Sequence, residues 1–163
     1  MKILITGGEG LVGRELARTG ARLGHDMLPF GRAELDIAKP ETIRTALAQV
    51  RPDAVVNCAA LVNIDACEAD PTAAFAINRD GVANLLGAIE AAGRPVAFVH
   101  ISSSEVFGGW DDGTFKPEGY REDVKRHPLT AYQRSKAEAE DLITSGAPGR
   151  AAGNTSRLSS SVG

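Results

Sequence analysis

The chain has 163 residues, of which 43% are hydrophobic and 24% charged, with a net charge of −3. That is room for one domain with one core, in the proportions of an ordinary globular protein. The acidic balance and a total of five Phe, two Tyr and one Trp exclude the basic, aromatic footprint of a nucleic-acid binder.

Lys2–Thr6 is a short apolar strand candidate, broken by Gly7-Gly8-Glu9-Gly10. Leu11, Val12, Leu16 and Leu23 then recur on one helical face to about Arg22, and Gly24 is a plausible stop. Asp26–Phe30 reads as a second strand. Lys39-Pro40-Glu41 opens a second helix, with proline and an acid in the first turn and Ile43, Leu47 and Val50 on its apolar face. Asp53–Asn57 does not alternate, so it is expected as a strand buried on both sides. Asp65 to Ala76 reads as a helix interrupted at Pro71. Val82, Leu85, Leu86 and Ile89 mark an amphipathic helix that Gly93 ends. Val96–Ile101 is a fourth strand. Residues 108–130, including Trp110, Asp111 and Asp112, read as a polar loop, and a last helix spans about Ala131 to Ile143.

Strands alternating with helices specify an α/β fold, a Rossmann-type doubly wound parallel sheet. From Ser145 the composition turns to Ser, Gly, Ala and Arg. The tail is expected to be disordered or to form a weak strand at Ser156–Ser159. No stretch reaches the ~18 apolar residues of a membrane span. The apolar run after Lys2 is too short for a secretory signal, so the expected location is cytoplasmic. Cys58 and Cys67 have no CxxC spacing, so reduced cysteines and no metal site are expected, with Cys58 in the core. His25, His100 and His127 share no spacing and are expected to be structural or exposed.

Gly7, Gly10 and Gly13 form GxxGxxG between a strand and a helix. One glycine allows the sharp reversal, one the approach of a pyrophosphate, and one close packing of helix on sheet. The helix N-terminus offers free N–H groups and partial positive charge. The alternative is a glycine turn without a ligand; its place at the first strand-to-helix junction favours the nucleotide. An acid ending the second strand would favour NAD. Pro29-Phe30-Gly31-Arg32 has none, and Arg32 can meet a 2′-phosphate, so NADP is expected and NAD stays open. Asp36 can approach the adenine.

Tyr132-Gln-Arg-Ser-Lys136 is YxxxK, with both side chains on one helical face. A phenol of ordinary pKa near 10 must fall to about 7 to act at neutral pH, ~4 kcal/mol. An ammonium ~5 Å away at an effective dielectric of ~20 supplies about 3 kcal/mol. Lys136 is therefore expected to carry most of that change and to hold the nicotinamide ribose. Ser102-Ser103-Ser104 follows the fourth strand, where such sheets bind ligands, and a hydroxyl there can hydrogen-bond a substrate carbonyl.

These pieces occur in an order that resembles the dTDP-4-dehydrorhamnose reductases and their sugar-nucleotide relatives in the extended short-chain dehydrogenase/reductase superfamily. The resemblance covers residues 1 to about 144. It is carried by the glycine turn, Glu34–Ile37, Arg51–Ala60, Asp65–Glu68, Ala76–Asn78, Ser102–Gly109, Tyr120–Asp123 and Tyr132–Lys136. It implies Ser103, Tyr132 and Lys136 as the catalytic set. It implies a cofactor held by Gly7, Gly10, Leu11, Val12, Gly13, Arg32, Asp36, Ile37, Asn57, Ala59, Ala60 and Asn78, with Tyr132 and Lys136. The implied activity is NADPH-dependent reduction of a 4-keto sugar nucleotide, with a homodimer as an open alternative to a single chain.

Two features depart from that pattern. Ser104 stands where the reductases carry an acid. Glu105 resembles the Glu of the 4,6-dehydratases, whose acid pair Ser104 cannot complete; dehydration is disfavoured and epimerisation with bound NAD stays open. The family's C-terminal substrate-binding region, close to half of a full-length enzyme, is missing from the sequence. The expected organisation is thus a cofactor domain at 1–144 and an atypical tail at 145–163, from a truncated or disrupted gene, a fragment or a true short product. A non-catalytic cofactor-binding subunit or remnant is the third reading.

Overall fold

The computed structural model describes residues 1–108, 120, 121 and 123–145, and the backbone of 153–158. Its strands are β1 (Lys2–Thr6), β2 (Asp26–Phe30), β3 (Ala54–Asn57), β4 (Ala97–Ser103) and β5 (Gly153–Leu158). They form one sheet in the order β2-β1-β3-β4-β5, with every pair parallel. The helices are α1 (Leu11–Arg22), α2 (Pro40–Val50), α3 (Ile64–Ala69), α4 (Pro71–Phe75), α5 (Gly81–Ala91) and α6 (Ala131–Thr144).

The chain leaves β1 in one direction to reach β2 and passes back over β1 to reach β3. Right-handed crossovers taken in opposite directions put α1 on one face and α2, α5 and α6 on the other. The sheet is therefore doubly wound, and its β1–β3 boundary is the switch point where such sheets open a crevice. The main core lies under the second face. Leu4, Val55 and Phe98 from the sheet meet Ile43, Leu47, Val82, Leu85 and Ile143 from the helices, all buried.

Two boundaries differ from expectation. The helix broken at Pro71 is two short helices, because the Asp70 carboxylate caps the second by accepting from Ala73 N at 3.0 Å. A π-helical turn at Ala76–Asp80 then runs straight into α5. The fourth strand continues past Ile101 to Ser103, because β5 pairs along it as far as Ser103 opposite Leu158. Ser102 and Ser103 are thus strand residues, and Ser104–Phe107 is a 3-10 turn. Residues 109–119, with Trp110, Asp111 and Asp112, lie outside the described residues, as do 146–152 and 159–163 of the tail.

Candidate active site

The glycine turn sits at the carboxyl end of β1. Gly7 has φ +63°, and a Cβ there would stand 2.7 Å from Ala59 N. A Cβ on Gly13 would stand 2.4 Å from Gly7 O. Both contacts are with backbone that cannot step aside, so only glycine lets α1 start this close to β3. Gly10 caps α1, and the first N–H groups of that helix face the turn with no side-chain cap. Leu11 and Val12 point outward, Leu11 at 88% exposure; what they offer a ligand is backbone N–H and uncovered apolar surface.

A cleft of about 270 Å³ opens at the switch point. It gathers Gly7, Gly10, Arg32, Asp36, Ile37, Ala59 and Ala60 from the expected cofactor set. Arg32 stands at its rim, 76% exposed, with Nε 3.5 Å from the Asp36 carboxylate. Asp36 is itself held by Ala38 N, which donates to it at 3.0 Å. Cys58 lines this cleft rather than the core, and burial pushes its thiol up to about 11. Cys67 is the fully buried cysteine, and both are free thiols.

Asn57 and Asn78 do not line the cleft. Asn78 is buried and binds across two elements. Its Oδ1 accepts from Leu61 N at 2.8 Å, and its Nδ2 donates to Leu61 O and to Ser135 Oγ, each at 3.0 Å. It therefore fixes the loop after β3, which walls the cleft, against α6.

The start of α6 is strongly specified. Thr130 and Gln133 form a reciprocal capping box. Gln133 Nε2 also donates to Glu105 at 3.1 Å, and Ala131 N donates to the Glu68 carboxylate. That geometry delivers Tyr132 and Lys136 to the carboxyl end of β4. The Ser103 hydroxyl stands close enough to the Tyr132 phenol to favour the phenolate. Burial outweighs it, and with Glu105 and Cys67 it pushes the phenol above its ordinary value.

Lys136 is 2% exposed and turned into the sheet. Its Nζ donates to Ile101 O at 2.6 Å and lies 3.1 Å from His100 Nε2. Burial lowers its pKa to about 8, against the opposing pull of Glu140 and Cys58. His100, also buried, is pushed down to about 2 by burial and by Lys136. Its Nδ1 lies 3.0 Å from Asn57 Nδ2. Asn57 Oδ1 accepts from Thr6 Oγ1 at 2.5 Å and from Ala59 N at 3.2 Å.

Thr6 and His100 were thus missed by sequence reading. The signal was present: each of three adjacent strands carries a buried polar residue at the same level of the sheet, and the register aligns them as Thr6, Asn57 and His100. Ser102 Oγ is buried on β4 and is an unpartnered hydroxyl among the described residues. The two halves of the site lie at one sheet edge. Cys58 joins them, lining the cleft while sharing electrostatic contact with Lys136.

A family model described as the RmlD substrate binding domain matches residues 1–158. The chain belongs to that family. It is 42% identical over 140 residues to a dTDP-4-dehydrorhamnose reductase of Burkholderia thailandensis, covering 86% of this chain and 44% of that protein. A reductase of the same name from Sinorhizobium fredii is 35% identical over 163 residues, covering 100% of this chain and 52% of its own length. The crystal structure of the Bacillus anthracis dTDP-4-dehydrorhamnose reductase in complex with NADP superposes with a TM-score of 0.83 at 28% identity. That match covers 98% of this chain and 54% of the other. The chain spans about half the length of these relatives, and the RmlD match falls on its cofactor-type fold. No helix among the described residues is long and apolar enough to cross a membrane. Among the same residues no His, Cys, Asp and Glu group is placed to hold a metal ion.

Proposed function

We propose that this chain is the NADP(H)-binding, proton-donating half of a reductase acting on a 4-keto sugar nucleotide. The observation that carries it is one sheet edge holding both a glycine-cradled cleft and the Tyr132 phenol, with the Ser103 hydroxyl acting on it. The cleft suits a dinucleotide: the bare backbone of Gly7 and Gly13 lets the turn close tightly against Ala59 and the start of α1, and the free N–H groups of α1 await an anion. Gly7, Gly10 and the α1 terminus would hold the pyrophosphate. Arg32 would meet a 2′-phosphate, while Asp36, Ile37, Ala59 and Ala60 would line the adenine and ribose path. When bound, the cofactor supplies a hydride to the substrate carbonyl carbon.

The chain's own part is proton management. Ser103 and the Tyr132 hydroxyl would hold the carbonyl oxygen, and Tyr132 would protonate it as charge develops. A phenol raised by burial holds its proton at neutral pH, which suits a donor in the reducing direction. Lys136 would bind the nicotinamide ribose and restore the proton. Glu105 supports no dehydratase role, since its carboxylate accepts from Gln133 and serves the start of α6.

The test supplies a dTDP-4-keto-6-deoxy sugar and NADPH to this chain joined to the remaining half of the Burkholderia relative. Loss of nicotinamide absorbance, one NADPH per alcohol formed and abolished by Tyr132→Phe, is expected. Product formed without NADPH consumption would instead mark an epimerase that recycles its cofactor. No reaction would overturn the reading.

A further inference from the structure

The buried chain Thr6–Asn57–His100–Lys136 is a hydrogen-bond accounting problem with two solutions. Ala59 N–H can only donate, so the Asn57 atom it reaches at 3.2 Å is the oxygen. Asn57 Nδ2, also only a donor, then faces His100 Nδ1 at 3.0 Å. His100 Nδ1 must accept, which places the ring proton of a neutral imidazole on Nε2. That N–H points at Lys136 Nζ, 3.1 Å away. An ammonium has no lone pair to receive it; a neutral amine does, and still donates to Ile101 O at 2.6 Å.

A charged Lys136 needs the reverse order. Nε2 must accept from the ammonium, Nδ1 must carry the proton, and the Asn57 amide must turn so that its oxygen receives it. Ala59 N–H then keeps only Thr6 Oγ1, at 3.4 Å. The net change is uptake of one proton from water: Nζ gains the proton leaving Nε2, and Nδ1 gains the incoming one.

We propose that His100 is a positioning residue that couples the charge of Lys136 to the orientation of the Asn57 amide. Ala59, whose N–H reports that orientation, lines the cofactor cleft. Lys136 therefore communicates its charge to the cleft wall through His100 and Asn57, on neighbouring strands. The other described groups that act on Lys136 are Glu140 from its own helix and Cys58 from the end of β3. Glu140 is partly offset by Arg126 at 3.2 Å. Tyr132 faces Ser103, Glu105 and Cys67 instead. The Lys136 midpoint near 8 makes both arrangements accessible in mildly alkaline solution.

The role of His100 in catalysis rests on the proposed reductase reading, but its test does not. Long-range ¹H–¹⁵N correlation of the 163-residue chain labelled at histidine nitrogen reads the tautomer directly. His25→Gln and His127→Gln assign the other two rings. His100 is expected with Nε2–H at pH 10 and Nδ1–H at pH 6.5, with a midpoint near 8 and no imidazolium between. Asn57→Asp, whose carboxylate has only acceptors, is expected to hold Nδ1–H across the whole range. A single tautomer throughout in the native chain, or an imidazolium near pH 6.5, overturns the proposal. NADPH affinity measured over the same range is expected to fall by about tenfold per pH unit above the midpoint, the linkage of one proton. Failure of NADPH to bind at all would strike the reductase reading and leave the tautomer result standing.

Discussion

Replacing Lys136 by Met tests the electrostatics of the site through stability alone. Lys136 is almost fully buried, and its pKa falls from 10.5 to about 8 on folding. At about 1.4 kcal/mol per pH unit, the charged form therefore costs the fold about 3 kcal/mol. The sign follows from proton counts. Between pH 8 and 10.5 the unfolded chain holds a proton that the folded chain has released, so stability rises with pH across that window. Below 8 both states are charged and the cost is constant.

Met fills a similar volume without the charge, but it leaves Ile101 O and His100 Nε2 without their partner, about 1–3 kcal/mol per group. That loss is present at every pH and cancels when two pH values are compared. Urea unfolding of both proteins at pH 7 and pH 10 is the assay. The native chain is expected to gain about 2 to 3 kcal/mol relative to the Met variant between the two. A pH-independent difference, or one of opposite sign, would refute the account of Lys136 as a costly buried cation.

Other outcomes follow from the same geometry. Gly13→Ala places a Cβ 2.4 Å from Gly7 O; it is expected to destabilise by about 1–3 kcal/mol and to abolish NADPH binding, read by urea unfolding and nicotinamide fluorescence. Asn78→Leu strands the two Leu61 backbone groups and removes the amide that donates to Ser135 Oγ, which keeps its bond to Tyr132 O. A loss of about 2–4 kcal/mol is expected, with faster amide exchange at Leu61. Gln133→Ala removes the partner of Glu105 and half of the capping box; it is expected to cost about 1 kcal/mol and to loosen the first turn of α6 in amide exchange.

The first four strands were legible because each is a short, largely apolar run, and because GxxGxxG suits a strand-to-helix turn; β5 is polar, and its segment read only as a disordered tail or a weak strand. Tyr132 and Lys136 were legible as a pair, but their spacing does not say where the amine goes. It goes inward, because Ile101 O and His100 offer partners that the helix surface does not. The extension of β4 through Ser103 depends on pairing with β5, a contact between distant segments that no local pattern encodes. Asn57 read as a cofactor contact, yet its buried amide is consumed by Thr6, His100 and Ala59. A polar residue ending an apolar strand looks the same in sequence whether it faces a ligand or a neighbouring strand.

The most direct measurement is an equilibrium titration of the 163-residue chain with NADPH and with NADH, repeated on Arg32→Ala. The cleft and its rim arginine predict saturable one-to-one binding. NADPH should be preferred by about tenfold or more, as expected for a charged contact of ~1.4 kcal/mol or greater, and Arg32→Ala should erase that preference. Equal affinity for the two nucleotides in the native chain, or no binding of either, would contradict it.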